Sequence, residues 1–248
     1  MHSPMEQFEI KRLLNFHIGS LDASFTNSAL WMVVAVALAT VVFVFGMSRR
    51  AMVPGRLQAT AELGYEFIAG MVRDNVGNAG RKYFPFIFTL FVFVLMANLL
   101  GMFPYFPTVT SQLIVTVALA LVVFFMVIIA GLIRHGFHFF KLFVPSGIPV
   151  VLLPLVVAIE IISFFTRPVS HSVRLFANML AGHITVKVFA GFIFSLGSLG
   201  ALGIAGAILP LVMVVGLTAL EILIAFLQAY VFAMLACIYI NDAIHPGH

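Results

Sequence analysis

The sequence AILPLVMVVGLTALEILIAFLQAYVFAMLACIYI, residues 207–240, decides the fold. It carries a single charged side chain, that of Glu221. As one helix it would be about 51 Å long at 1.5 Å per residue, whereas a hydrocarbon core is about 30 Å thick. The run therefore either breaks into two helices or lies strongly tilted in a membrane.

The composition of the whole chain also indicates a membrane protein. The chain has 248 residues, of which 62% are hydrophobic and 9% charged, whereas soluble domains are about 25% charged. The basic residues behind the net charge of +4 cluster in short loops, where they set membrane orientation, so we predict no binding to nucleic acid. No spacing of His, Cys, Asp or Glu matches a metal site, and no phosphate-binding loop occurs, so no metal or cofactor is predicted.

Apolar runs of spanning length recur along the chain, and we found no internal repeat. The predicted fold is an all-α integral membrane protein with about five membrane helices and one interfacial amphipathic helix, in a single membrane domain (1–248). The glycine- and serine-rich segment FIFSLGSLGALGIAG (192–206) separates the last two runs. In chain order we predict an external N-terminal segment (1–28), a first span (29–47), the interfacial helix (57–80), two spans (84–103 and 113–133), and two long runs forming a tilted hairpin (148–194 and 207–240).

The predicted interfacial helix follows the first span. Leu63, Phe67 and Met71 fall at helical spacing, with Ile68 less regularly placed, and acidic and basic side chains occupy the other face. This pattern is typical of a helix that lies on the membrane surface. A loop helix packed on the rest of the protein would show the same pattern, so both interpretations stay open.

The distribution of basic residues predicts the orientation. The first loop has six Lys and Arg residues, the second has none and the third has two. Because cytoplasmic loops carry the excess of basic residues, the first and third loops are predicted to be cytoplasmic. The N-terminus is then outside and the C-terminus cytoplasmic.

Polar side chains within the apolar runs are functional candidates, because placing them in lipid is costly. Arg174 cannot lose its proton in a protein, and at mid-membrane its charge costs about 2.5–3.5 kcal/mol on insertion scales. His183 lies on the opposite face of the same predicted helix, whereas Glu221 and Gln228 share a face of the last one. At 100° per residue, six side chains form one polar stripe: Glu160, Ser163, Arg167, Ser170, Arg174 and Asn178.

Each candidate also has a structural explanation. Glu221 could neutralise Arg174 in a buried pair, and His183 could be a packing histidine, although an antiparallel hairpin would place it near Glu221. Three other residues lie closer to possible helix ends, where long side chains reach the interface. Of these we interpret Arg167 and Lys187 as structural and leave both interpretations open for Glu160.

Two other classes of membrane protein are worth comparing with these residues. A proton-coupled secondary transporter using Glu221 and His183 would show repeated halves, which the sequence lacks. If the chain were an anchoring subunit of a respiratory complex, the polar stripes would have no function. Neither class explains Arg174.

Several motifs resemble the subunit-a family of rotary F-type ATP synthases. The pair RLFANMLAGH (174–183) and LEILIAFLQAYVF (220–232) is similar to the signature of that family. NLLGMFPY (98–105) resembles the end of an earlier membrane helix, and EIISFFTRPVSHSVRLF (160–176) resembles the approach to the essential arginine of the family. The resemblance covers roughly residues 84–241.

The resemblance implies a role for each candidate. Arg174 matches the essential arginine, which faces the proton-carrying carboxylate on the rotating c-ring, and Glu160 matches an acidic position near the cytoplasmic half-channel. Some members have an acid at the position of His183 and a histidine at that of Glu221. This chain has the two residue types the other way round, as in mitochondrial-type members. The resemblance therefore leaves open which of the two residues relays the proton. Four residues match polar positions of the half-channel open to the outside: Asn178, His183, Glu221 and Gln228.

The resemblance also implies partners and a location. The chain would be a proton-conducting stator subunit without catalytic chemistry of its own. It would contact the c-ring through the face of Arg174, the b and b′ subunits of the peripheral stalk and the lipid bilayer, and it would serve the F1 catalytic sector indirectly. We expect a bacterial inner membrane, with the mitochondrial inner membrane as the alternative.

Overall fold

The computed structural model describes residues 12–14, 17–18, 21–22, 24–48, 54–103, 106–144, 149 and 152–245. Six α-helices lie within these ranges. The helices are α1 (Asn27–Ser48), α2 (Arg56–Val76), α3 (Phe84–Gly101), α4 (Leu113–His135), α5 (Leu153–Gly197) and α6 (Ala201–Ile244). Three short 3-10 segments also occur in these ranges: Gly77–Lys82 after α2, Val109–Ser111 before α4 and Gly136–Phe143 after α4.

Five of these helices are long and apolar enough to cross a membrane, which confirms the predicted fold class. They are α1, α3, α4, α5 and most of α6. The ends of α1, α3 and α4 lie within two residues of the predicted spans, whereas α6 begins at Ala201, six residues before the predicted start at 207. Helix α2 ends at Val76, where Gly77 takes a positive φ of 72°. Part of the predicted hairpin start, residues 148, 150 and 151, lies outside the described residues.

The N-terminal segment contains short strands that the sequence pattern did not predict. Strand β1 (Arg12–Leu14) pairs antiparallel with β4 (Phe25–Thr26), and β2 (His17–Ile18) pairs antiparallel with β3 (Leu21–Asp22). Strands of two or three residues are too short to show a period of two in the sequence. Residues 1–11 of the predicted external segment lie outside the described residues.

Helices α5 and α6 are each continuous, which excludes the alternative in which each long run breaks into two helices. They have 45 and 44 residues, or about 68 and 66 Å at 1.5 Å per residue. Pro154 falls in the first turn of α5, where a missing backbone N–H costs nothing. Pro168 and Pro210 lie inside the helices without ending them.

The predicted break at 192–206 is confined to three residues, 198–200. Gly200 has a positive φ of 83°, a conformation that other L-residues rarely adopt. A Cβ atom on Gly203 would collide with the carbonyl oxygen of Leu196. The turn between α5 and α6 therefore depends on glycine at both positions, and it makes the two helices antiparallel.

The chain forms two compact units, each built from three segments. The first unit comprises Met1–Thr40, Phe93–Gln112 and Leu175–Ala229. The second comprises Val41–Val92, Leu113–Arg174 and Tyr230–His248. Helices α5 and α6 contribute residues to both, so each unit contains part of the predicted polar stripes.

Within the second unit, α2 divides its apolar side chains between two environments. Ile68 and Met71 are buried against the protein, whereas Leu63 remains 67% exposed. The ring of Phe67 lies 5.9 Å from that of Phe91, so this part of the helix packs on α3. The helix is thus docked on the unit through one edge of its apolar face and leaves the other edge uncovered.

Candidate functional site

The first unit places His183 of α5 next to Glu221 of α6. The distance from His183 Nδ1 to Glu221 Oε1 is 3.8 Å, and the two side chains are only 9% and 12% exposed. Gly182 makes room for the carboxylate, because a Cβ atom there would lie 2.7 Å from Glu221 Oε1. The antiparallel hairpin thus brings an acid and an imidazole together in a largely apolar unit.

This pair leaves hydrogen-bonding capacity unused. His183 Nε2 and Glu221 Oε1 are buried and have no hydrogen-bond partner among the described residues. A separation of 3.8 Å is too long for a direct hydrogen bond. Leaving such buried atoms unpaired costs about 1–3 kcal/mol each. The pair therefore adds little direct bonding to the contact between α5 and α6 and keeps two polar atoms available.

Asn98 links α3 to α6 close to this pair. Its side chain is fully buried, and its Nδ2 donates a hydrogen bond to the backbone carbonyl of Ala225 at 3.0 Å. Ala225 lies one helical turn after Glu221 on α6. The bond therefore sets the position of α3 relative to the part of α6 that carries the carboxylate.

The other two candidates in the first unit stand apart from the pair. Asn178 is exposed on α5, and Gln228 is partly buried on α6. Neither side chain forms a hydrogen bond with any residue that the structure describes. Of the polar positions predicted in this unit, the structure brings only His183 and Glu221 into contact.

The second unit contains Arg174 and Glu160, both on α5. The side chain of Arg174 is exposed, and that of Glu160 is partly buried. Within the described part of this unit, neither side chain forms a hydrogen bond or an ion pair. Arg174 therefore presents a permanent charge at the surface of a long apolar helix.

Arg167 forms the close ion pair of the second unit. Its Nη1 donates a hydrogen bond to Asp242 Oδ2 at 2.9 Å. The guanidinium also lies 5.0 Å from the ring centroid of Tyr239 and 5.9 Å from that of Phe164. These contacts agree with the interpretation of Arg167 as structural. Asp242, the last acidic residue of the chain, was not among the predicted candidates.

His171 is a second residue that was not among the predicted candidates. Its side chain is buried, its Nε2 has no hydrogen-bond partner among the described residues, and its ring meets that of Phe232 edge-on. With Arg167 and Tyr239 it lines a cavity of about 10 Å³, close to the volume that one water molecule needs. In the sequence His171 lies between two serines, a context that does not predict such a cavity.

Metal binding finds no support in this arrangement. Across the ranges that the structure describes, no three His, Cys, Asp or Glu side chains come together in a way that could hold a metal ion.

Comparison with known proteins gives matches over nearly the whole chain. Residues 29–241 match the family described as ATP synthase A chain. ATP synthase subunit a of Rhizobium etli strain CFN 42 is 62% identical over 246 residues, which cover 99% of this chain and 98% of that protein. The subunits a of Agrobacterium fabrum and Brucella canis are each 60% identical over 247 residues, covering 100% of this chain and 99% of each relative.

Proposed function

The chain belongs to the ATP synthase A chain family, and from that membership we propose that it is the proton-conducting stator subunit of a rotary ATP synthase. It provides two offset half-channels that lead to the carboxylate of the rotating c-ring, and Arg174 separates them. The chain itself performs no catalytic chemistry. It couples the flow of protons to rotation and thereby to ATP synthesis.

The observation that carries this proposal is the uncompensated charge of Arg174. Its guanidinium is exposed and has no ion pair or hydrogen bond in the described part of its unit. A charge in this position on an apolar membrane helix needs a partner of opposite sign. A carboxylate of the c-ring supplies that partner, which places the c-ring against the face of Arg174.

The half-channel open to the outside is assigned to the first unit. His183 and Glu221 pass the proton between Nδ1 and Oε1, which are 3.8 Å apart and need only a small side-chain movement to meet. Asn178 and Gln228, which have no hydrogen bond to a described residue, line the wet path on either side. Since both members of the pair have unused hydrogen-bonding atoms, either can be the group that hands the proton on.

The cytoplasmic half-channel is assigned to the second unit, near Glu160. The Glu160 carboxylate is partly buried and has no hydrogen bond or ion pair to a described residue of its unit. It is therefore available to receive a proton that the c-ring releases. Arg167 is not assigned to this path, because Asp242 and two aromatic rings already hold it.

A cycle follows from electrostatics. A c-ring carboxylate must be neutral while it faces lipid, because an ionised one there is very costly. A proton from the outer path neutralises it, rotation carries it through lipid, and it ionises at the cytoplasmic path. Arg174 repels protons between the two paths, and each charge that crosses supplies about 2.3 kcal/mol per 100 mV.

The setting of the protein follows from the same membership. We assign it to a bacterial inner membrane, with the N-terminus outside and the C-terminus in the cytoplasm, as the basic loops predict. Besides the c-ring, its partners are the b and b′ subunits of the peripheral stalk and, indirectly, the F1 catalytic sector.

The test is Arg174→Ala in the assembled complex, measured in inverted membrane vesicles. We expect ATP-driven proton pumping to be abolished while the complex still assembles. Passive proton flux, measured after removal of the catalytic sector, should be retained or raised. Arg134→Ala, which removes an exposed arginine from the end of α4, is the matched control and should pump normally. Normal pumping by Arg174→Ala would refute the proposal.

A further inference from the structure

The second unit contains a groove beside α2 that the proposed function does not use. Its volume is about 840 Å³, within the usual size range of ligand sites. Helix α2, the 3-10 segment Gly77–Lys82 and the start of α3 all contribute to its walls. The residues that line this α2 groove include Tyr65, Glu66, Arg73, Asn78, Arg81 and Phe84.

The charged side chains of the α2 groove are unpaired. Arg73, Arg81 and Glu66 are exposed, and none of them forms a hydrogen bond or an ion pair with any residue that the structure describes. Two guanidinium groups and one carboxylate give the groove a net positive charge. Arginine donates in a fork that matches the oxygens of a phosphate, so two such groups suit a phosphate monoanion.

The position of the groove along the chain places it at a membrane surface. Arg81 lies three residues before Phe84, the first residue of α3, and α3 is one of the helices that can span a bilayer. The groove is therefore at the level where lipid headgroups meet the hydrocarbon core.

The α2 groove has both an apolar wall and hydrogen-bonding groups, a combination that suits an amphiphile. The rings of Tyr65 and Phe84 lie 4.8 Å apart and form an apolar wall, and aromatic side chains are typical of this depth in membranes. Asn78 and Glu66 add groups that can bind headgroup hydroxyls, since a carboxylate accepts hydrogen bonds and an amide both donates and accepts.

We propose that the α2 groove binds the headgroup of an anionic phospholipid with a polyol headgroup. Arg73 and Arg81 bind the phosphodiester, and Glu66 and Asn78 bind the headgroup hydroxyls. The glycerol backbone and the start of the acyl chains pack on Tyr65 and Phe84. This assignment stands on the membrane location of α3 and does not depend on the roles proposed for Arg174 or Glu221.

The test uses the whole ATP synthase complex in phosphatidylcholine nanodiscs that contain phosphatidylglycerol with a photoactivatable headgroup. After illumination, mass spectrometry locates the labelled peptides of subunit a. We expect labelling within residues 65–84 of the wild-type protein. Arg73→Gln together with Arg81→Gln should lower it roughly 25-fold, since each basic side chain at an anionic surface contributes about fivefold.

Two further variants control this experiment. Arg56→Gln together with Lys82→Gln removes the same charge from exposed positions outside the groove, and its labelling should stay near the wild-type yield. Arg73→Lys together with Arg81→Lys keeps the charge and should retain part of the labelling, which separates lost binding from lost folding.

Three outcomes would overturn the proposal. Equal loss of labelling in the control pair would show general attraction to the surface rather than a site. Complete competition by inorganic phosphate would show a site for a free anion. Cross-links from the groove to another polypeptide, with no labelled lipid, would show a protein interface.

Discussion

Helices α5 and α6 carry two pairs of ionisable side chains that differ in nearly every respect. In the second unit, Arg167 and Asp242 are 2.9 Å apart and hydrogen-bonded, with 23% and 36% of their side chains exposed. In the first unit, His183 and Glu221 are 3.8 Å apart, buried, and each retains a buried atom without a partner among the described residues. Arg167 and Asp242 are thus joined by a hydrogen bond, whereas His183 and Glu221 are not.

The difference indicates two uses for similar chemistry. A hydrogen-bonded pair near solvent gives a helix contact a modest gain, typically below about 1 kcal/mol. A buried pair with unmade hydrogen bonds costs stability, and such a cost is common at functional sites, in agreement with the proton transfer proposed for this pair. We therefore expect variants of the first pair to affect proton transport and variants of the second to affect stability.

In the comparison of the two pairs, the largest effect should come from neutralising Glu221. We expect Glu221→Gln to reduce ATP-driven proton pumping roughly 100-fold, the lower end of what a positioned proton-transfer group contributes. Asp242→Asn is the matched change in the other pair and should pump near the wild-type rate. Fluorescence quenching in inverted vesicles measures both. The comparison fails if the two variants lose pumping equally.

Gly182→Ala tests the space around the first pair without touching its chemistry. The added Cβ would lie 2.7 Å from Glu221 Oε1, so the carboxylate must move away from its present position. We expect pumping to fall about tenfold, since overpacking costs roughly 1–3 kcal/mol. In Gly191→Ala, on the same helix, the Cβ meets nothing within 4 Å. That control should pump normally, and a normal rate for Gly182→Ala would show that the carboxylate position is not critical.

Asn98→Leu tests how much the hydrogen bond between α3 and α6 near Glu221 contributes to stability. The change removes the hydrogen bond to Ala225 from a fully buried site. We expect the free energy of unfolding to fall by about 0.5–1.5 kcal/mol, the net value of one hydrogen bond, seen as loss of this chain from the complex at lower temperature. Asn75→Ala is the control, because among the described residues that amide bonds Met71 of its own helix. Equal losses in both variants would contradict the assigned role.

The smallest effect belongs to Arg167→Lys. The charge opposite Asp242 remains, but the planar group over Tyr239 is lost. We expect a loss of about 0.5–1 kcal/mol in stability and no change in proton pumping. Thermal unfolding of the purified complex, with pumping measured in parallel, checks both. A pumping defect here would place Arg167 in the proton path and remove the contrast between the pairs.

The sequence predicted the long apolar helices well because lipid imposes a simple requirement. A helix that crosses it must be long and apolar, and residues 29–47 and 113–133 meet that requirement without knowledge of the rest of the protein. The contact between His183 and Glu221 could also be anticipated, since an antiparallel hairpin brings together residues on either side of its turn.

What the sequence could not supply depends on packing between distant segments. Asp242 and Arg167 are 75 residues apart, and nothing in the local pattern links them. The burial of His171 likewise depends on Phe232 of α6. The continuity of α6 through Gly203 and Gly206 was missed because small residues suggest a break until a close neighbour explains them.

The tight turn at residues 198–200 also bears on how the protein enters the membrane during synthesis. From Val188 to Leu220 the chain has no charged residue, so the tip of the hairpin carries no charge across the bilayer. An uncharged tip with a three-residue turn can be translocated together with both flanking helices in one step. We therefore expect the segment from Arg174 to Glu221 to enter the membrane as one helical hairpin.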